Sequence, residues 1–202
     1  MAHLTFVYGT VNSGKSMELL RISHNYESLG KRPSILTPAT DTRSEEPKVW
    51  SRVGLEKKAV SFTGEDSITT LVHEAVADGN SNIVLVDEAQ FLTKEQVEEL
   101  AFLIYKYDIE VMAFGLKTDS NNNLFEGSQS LLVWADRLEE ITTLDYKGHG
   151  KASMNMKLVD GKPSFHNPQV EIEAKGETMY VPVSRDTYIN AMLLEGANEE
   201  GN

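Results

Sequence analysis

The stretch Gly9-Thr10-Val11-Asn12-Ser13-Gly14-Lys15-Ser16 constrains this chain more than any other part of it. It spells G-x-x-x-x-G-K-S, follows the apolar run Leu4–Tyr8 and opens onto the helix-forming stretch Met17–Ile22. Strand, glycine loop and helix start, in that order, are the setting of a phosphate-binding loop. Glycines let backbone N–H groups turn inward around phosphate oxygens, and the helix N-terminus adds a favourable dipole. Lys15 is placed to reach the β- and γ-phosphates, and the Ser16 hydroxyl to ligate magnesium. The bland alternative is a glycine-rich strand-to-helix turn that binds nothing. The flanking strand and helix favour a nucleoside triphosphate site.

A second element supports it. Ile83-Val84-Leu85-Val86 is a continuous apolar run of the kind found in strands buried on both faces, and it ends in Asp87-Glu88-Ala89-Gln90. In open α/β sheets, ligands bind at the carboxyl ends of the strands. Asp87 is therefore placed to hold magnesium, directly or through water, and Glu88 is free for another task. An exposed acidic turn is the competing reading. It loses ground because the Gly9–Ser16 loop is present in the same chain.

Charge narrows the partners. Lys and Arg total 19 against 31 Asp and Glu in 202 residues, for a net charge of −12. So acidic a surface matches nucleic-acid phosphates poorly and favours small-molecule chemistry, with positive charge concentrated at the site. The absence of cysteine rules out disulfides and thiolate metal sites. No apolar run reaches membrane-spanning length and no basic-then-apolar leader opens the chain, so the expectation is a cytoplasmic protein without membrane or nucleic-acid partners.

Strands and helices alternate through about residue 140. Helices are expected over about Ser16–Leu29 (capped by Gly30), over about Ser67–Ala77, and after the capping box Thr93-x-x-Gln96. Strands are expected at Ser34–Thr37 and Ile109–Gly115. The pattern predicts an α/β fold, a mostly parallel sheet in a phosphate-loop domain over 1–140. Short alternating stretches at Ala152–Val159, Gln169–Ala174 and Met179–Ser184 predict a small β-rich domain over 141–192, whose seam with the larger domain is a natural ligand site. A flexible polar tail is expected over 193–202.

Gly9–Ser16, Asp41-Thr42-Arg43, Val86–Phe91, Gly115–Asp119, Leu124–Gln129 and Tyr180–Val183 occur in the order seen in type II thymidine kinases. The chain resembles that family over nearly its whole length, its bacterial and phage-like members most. The resemblance implies a RecA-like domain and a small domain whose lasso loop closes over thymidine. It also implies transfer of the ATP γ-phosphate to the thymidine 5′-hydroxyl, a step of deoxynucleoside salvage for DNA synthesis. Glu88 resembles the general base, with Lys15 and Arg43 neutralising charge and Ser16 and Asp87 holding Mg2+. Nucleotide contacts fall on Gly9 through Ser16 and on Asp87, Glu88, Ala89 and Gln90. Thymidine contacts fall on Val11, Glu88, Leu116, Phe125, Asn155 and Tyr180, with backbone groups near Gln169–Ala174 reading the base edge. A homotetramer and feedback inhibition by thymidine triphosphate are implied in the same way.

Two departures stand out. Ser120 replaces the family's usual lasso Phe, and Asn121-Asn122-Asn123 after it suggests a mobile loop. The family's zinc ligands fall on Asp145 or Tyr146, on Gly148, and on Ser184 and Thr187, none of them cysteine, so no structural zinc is expected. Two further readings remain open at this point. One is an ATP-driven nucleic-acid motor, disfavoured by the charge and the single nucleotide domain. The other is a non-catalytic nucleotide-binding module, disfavoured by intact Lys15, Ser16, Asp87 and Glu88.

Overall fold

A computed structural model of the chain describes residues 2–39, 46–76, 82–165, 169 and 177–199. By contact density the chain divides into two units. One comprises Met1–Tyr8, Gly14–Leu116 and Phe125–Glu140; the other comprises Gly9–Ser13, Lys117–Leu124 and Ile141–Asn202.

The larger unit is built on β1 (Leu4–Tyr8), α1 (Lys15–Ser28), β2 (Ser34–Pro38), β3 (Lys48–Trp50), β4 (Glu56–Lys58), β5 (Val60–Phe62), α2 (Ile68–Val76), β6 (Ile83–Val86), α3 (Lys94–Tyr107), β7 (Glu110–Gly115), α4 (Glu126–Trp134) and β8 (Arg137–Glu140). Six strands pair in the order β5-β2-β6-β7-β1-β8, every pair parallel. Parallel pairing demands long crossovers, which the helices supply, and leaves the central strands buried on both faces. β2 and β6 are accordingly buried at every residue. Phe6, Leu36, Val84, Val86, Leu100 and Val111 form the centre of the core.

Helix ends follow local chemistry. Thr93 caps α3 through the Gln96 N–H at 3.2 Å while the Gln96 side chain accepts the Thr93 N–H at 3.1 Å. Gly30, at φ 77°, ends α1 in the left-handed conformation and donates to the Glu27 carbonyl. The register pairs Tyr8 with Gly115 and Val86 with Ala113, so β1, β6 and β7 end at one sheet edge. Asp87 and Leu116 leave from that edge, and the chain leaves β1 there.

The smaller unit holds the β9–β10 ladder (Thr143–Leu144, Lys151–Ala152) and an antiparallel sheet β12-β11-β13 (Lys162–Ser164, Met154–Val159, Thr178–Val183). Asp160 and Gly161, at φ 49° and 75°, make the two-residue turn from β11 to β12. Met156, Leu158, Val181, Val183 and Tyr188 form its core. Helix α5 runs Arg185–Glu199, past residue 193 where composition suggests a tail. Ala191 through Glu195 are strong helix formers that carry it on. Most of Gln169–Ala174 lies outside the described residues.

Candidate active site

In the larger unit the site is assembled at the ends of β6 and β7 and the start of α1. Gly14, at φ 89°, opens α1 and delivers Lys15 directly into it. Lys15 is 8% exposed, and that burial lowers its pKa, against the opposing pull of the Glu88 and Asp87 carboxylates. The Ser16 hydroxyl donates to Asp87, 3.2 and 3.1 Å from the two carboxylate oxygens. Burial, and then the neighbouring Glu88 charge, push the Asp87 carboxyl up to about 7. Its backbone N–H is tied to the Leu36 carbonyl at 2.9 Å, which holds it at the strand edge.

Glu88 sits in the left-handed region at φ 47°, ψ 42°, a costly conformation for a residue with a side chain and one that clusters at functional sites. A 3-10 turn, Ala89–Phe91, follows. Gln90 is buried; its Nε2 donates to Glu88 Oε2 at 2.6 Å and its Oε1 accepts the Leu116 N–H at 3.0 Å. The Leu116 carbonyl in turn accepts the Ser128 hydroxyl at 2.5 Å. Phe125, 6% exposed, packs edge-on to Phe91 with ring centroids 6.0 Å apart.

A buried cation under the pull of two carboxylates, one of them bonded to a hydroxyl, suits a magnesium triphosphate. The polyanion compensates Lys15, and the hard oxygens of Ser16 and Asp87 are what magnesium prefers. Where bound, the metal would favour the charged form of the Asp87 carboxyl, against the burial that raises its pKa.

In the smaller unit the phosphate-loop segment shows the same fitness. A Cβ on Gly9 would lie 2.7 Å from the Ile141 carbonyl oxygen, so only glycine fits there. Asn12 stands at φ 62°, and the Ser13 hydroxyl is buried without a hydrogen-bond partner among the described residues. A leftover buried hydroxyl in this loop suits a phosphate oxygen. Asn155, 4% exposed, accepts the Val11 N–H at 2.8 Å through Oδ1 and donates to the Thr118 carbonyl at 2.8 Å through Nδ2. Both polar ends of that side chain are thereby held by backbone. Tyr180 lies on β13, 38% exposed.

The lasso segment differs from the sequence expectation of a mobile loop. The Asp119 carboxylate accepts the backbone N–H groups of Asn121 and Asn123 at 2.8 and 2.9 Å, and Asp119 N–H donates to the Asn123 carbonyl at 3.0 Å. The Ser120 carbonyl accepts the Tyr188 hydroxyl at 2.9 Å. Asparagines read as loose become a tied turn because a buried aspartate organises their backbone; the Asp-x-Asn pattern was the available signal. Arg43, with Asp41 and Thr42, lies outside the described residues.

The positions that the resemblance assigns to zinc do not suit that metal. Asp145, 3% exposed, accepts the Lys147 N–H at 2.8 Å through one carboxylate oxygen and the Ser184 N–H at 2.7 Å through the other. Ser184 and Thr187 hydroxyls bond each other at 3.0 Å, and Gly148 brings no ligand. One carboxylate already committed to two N–H donors, with two neutral hydroxyls, is no tetrahedral zinc set.

The parallel sheet, the phosphate loop and the paired carboxylates are those of a P-loop nucleotide-binding protein. A family profile described as thymidine kinase matches residues 2–188. Thymidine kinases of Enterococcus faecalis and Lactobacillus acidophilus are 44% and 42% identical to the chain over 99% and 96% of its length and 100% of theirs. A third, from Streptococcus pyogenes, is 42% identical over 94% of the chain and 98% of its own. The chain belongs to the thymidine kinase family. No helix among the described residues is long and apolar enough to cross a membrane.

Proposed function

We propose that this chain transfers the γ-phosphate of ATP to the 5′-hydroxyl of thymidine, yielding thymidine monophosphate and ADP for deoxynucleoside salvage. The supporting observation is the grouping of Lys15, Ser16, Asp87 and Glu88 at one sheet edge, in a chain of this family. Glu88 takes the 5′-hydroxyl proton as the new O–P bond forms and the bond from Pγ to the β-phosphate oxygen breaks. Lys15, with Arg43 by family correspondence, compensates the charge gathering on the transferred group and on the departing ADP. Ser16 and Asp87 hold Mg2+, which when bound neutralises phosphate charge. Nucleotide contacts are assigned to Gly9 through Ser16 and to the Asp87–Gln90 segment. Thymidine contacts are assigned to Val11, Glu88, Leu116, Phe125, Asn155 and Tyr180. A homotetramer acting in the cytoplasm completes the reading; light scattering of the purified protein tests the assembly.

The experiment is phosphate transfer from ATP and Mg2+ to thymidine, deoxyuridine, deoxycytidine and deoxyguanosine. Thymidine monophosphate as the main product is expected. Absence of transfer to any of them, with ATP still bound, overturns the reading in favour of a non-catalytic module. Glu88→Gln should keep ATP binding and lower turnover on the order of 10²-fold or more. Turnover within a few-fold of wild type would remove Glu88 from the base role.

A further inference from the structure

We infer that Gln90 is a positioning residue: its buried carboxamide clamps the Glu88 carboxylate to the Leu116 backbone and so sets the direction in which that carboxylate points. The inference rests on the role of Glu88 proposed above. Resemblance alone groups Gln90 with nucleotide contacts; the geometry gives its side chain a different task.

The orientation of the amide follows from its neighbours. A carboxylate only accepts, and a backbone N–H only donates, so Nε2 must face Glu88 and Oε1 must face Leu116. The two bonds are 2.6 and 3.0 Å long, and Gln90 is 3% exposed, so water has little access to replace either. The clamp's far end is itself held, because the Leu116 carbonyl accepts the Ser128 hydroxyl of α4 at 2.5 Å. Space for the amide is kept by Gly115, where a Cβ would lie 2.9 Å from Gln90 Oε1 and 3.0 Å from the Gln90 nitrogen. Glu88 needs such a hold. Its left-handed backbone persists only where the surroundings over-determine it, and no cap bond comes from its side chain. A carboxylate that swings by about an ångström loses on the order of 10²-fold in a reaction governed by alignment. Leu116, the other end of the clamp, is also assigned to the thymidine pocket, so one side chain sets the base and the pocket wall in common register.

The test is Gln90→Met, similar in volume but without the donor and acceptor, with Gln90→Glu beside it. Glutamate keeps the acceptor for Leu116 and places a second carboxylate against Glu88. Wild-type transfer to thymidine is measured first; if it is absent, the functional reading fails rather than the clamp. With an active wild type, both variants should lower kcat tenfold or more, a larger factor than any rise in the ATP KM. In a Glu88→Gln background, Gln90→Met should lower the residual rate less than twofold, because no base remains to be aimed. A residue that merely supports the fold would give the same loss in both backgrounds, and that result overturns the inference. So does a kcat for Gln90→Glu equal to wild type, a comparison that stands even if Gln90→Met proves unstable.

Discussion

Asp145→Asn probes what ties the smaller unit together at the positions that the resemblance assigns to zinc. Burial by itself would raise the Asp145 pKa; hydrogen bonds from the Ser184 N–H, the Thr187 hydroxyl and the Lys147 N–H outweigh it and bring the carboxyl down to about 2, from an ordinary 3.8. A carboxyl held that far below its ordinary value contributes about 2 kcal/mol of folding stability at neutral pH. The folded pKa lies below the unfolded one, so this contribution is complete above pH 4 and is lost as pH falls towards 2. Asparagine keeps one acceptor but turns an NH2 towards a backbone N–H of Lys147 or Ser184, leaving that donor buried and unpaired at a cost of about 1–3 kcal/mol. For a chain of this size the expected Tm loss at pH 7 is about 4–8 °C. Thermal unfolding of wild type and variant at pH 7 and pH 2.5, with and without EDTA, is the assay. Wild type should lose more stability than the variant between the two pH values, and EDTA should change neither. An unchanged Tm for Asp145→Asn at pH 7 would refute the reasoning. So would about one tightly held zinc per untagged chain by metal analysis.

Gly127→Ala should misplace α4 or unfold the protein, since its Cβ would lie 2.6 Å from both the Ala89 and the Leu92 carbonyl oxygens; a Tm within a degree of wild type would contradict the close approach. Gln96→Ala should cost about 2–4 kcal/mol in urea unfolding, because the buried amide also donates to the Thr63 and Asp66 carbonyls at 2.7 and 2.9 Å. A loss of only a few tenths would mean that those bonds add nothing. Asn155→Ala frees the Val11 N–H and the Thr118 carbonyl together, so the KM values of ATP and thymidine should both rise several-fold. Change in neither would separate Asn155 from both substrates.

Ile83–Val86 is readable as a core strand because four successive apolar residues suit only a strand covered on both faces, and the structure buries all four. The Thr93–Gln96 box and the Gly30 cap are equally legible, since the residues that satisfy a helix end lie within a turn of it. The phosphate loop is legible for the same reason: glycines, lysine and hydroxyl act within eight consecutive residues.

Other features had no such signal. β8, Arg-Leu-Glu-Glu, is exposed throughout and becomes a strand only because β1 offers it a parallel partner. The hold of Asp145 on Ser184, of Asn155 on Val11 and Thr118, and of Gln90 on Leu116 spans 26 to 144 residues of chain. The sequence by itself determined the strongly patterned elements, their order and the chemistry carried by the phosphate loop and by the end of the Ile83–Val86 strand, because nearest-neighbour sterics and local hydrogen bonds decide those. Tertiary structure alone decided which buried polar group answers which, because a polar atom's partner depends on what the fold brings beside it once water has been excluded.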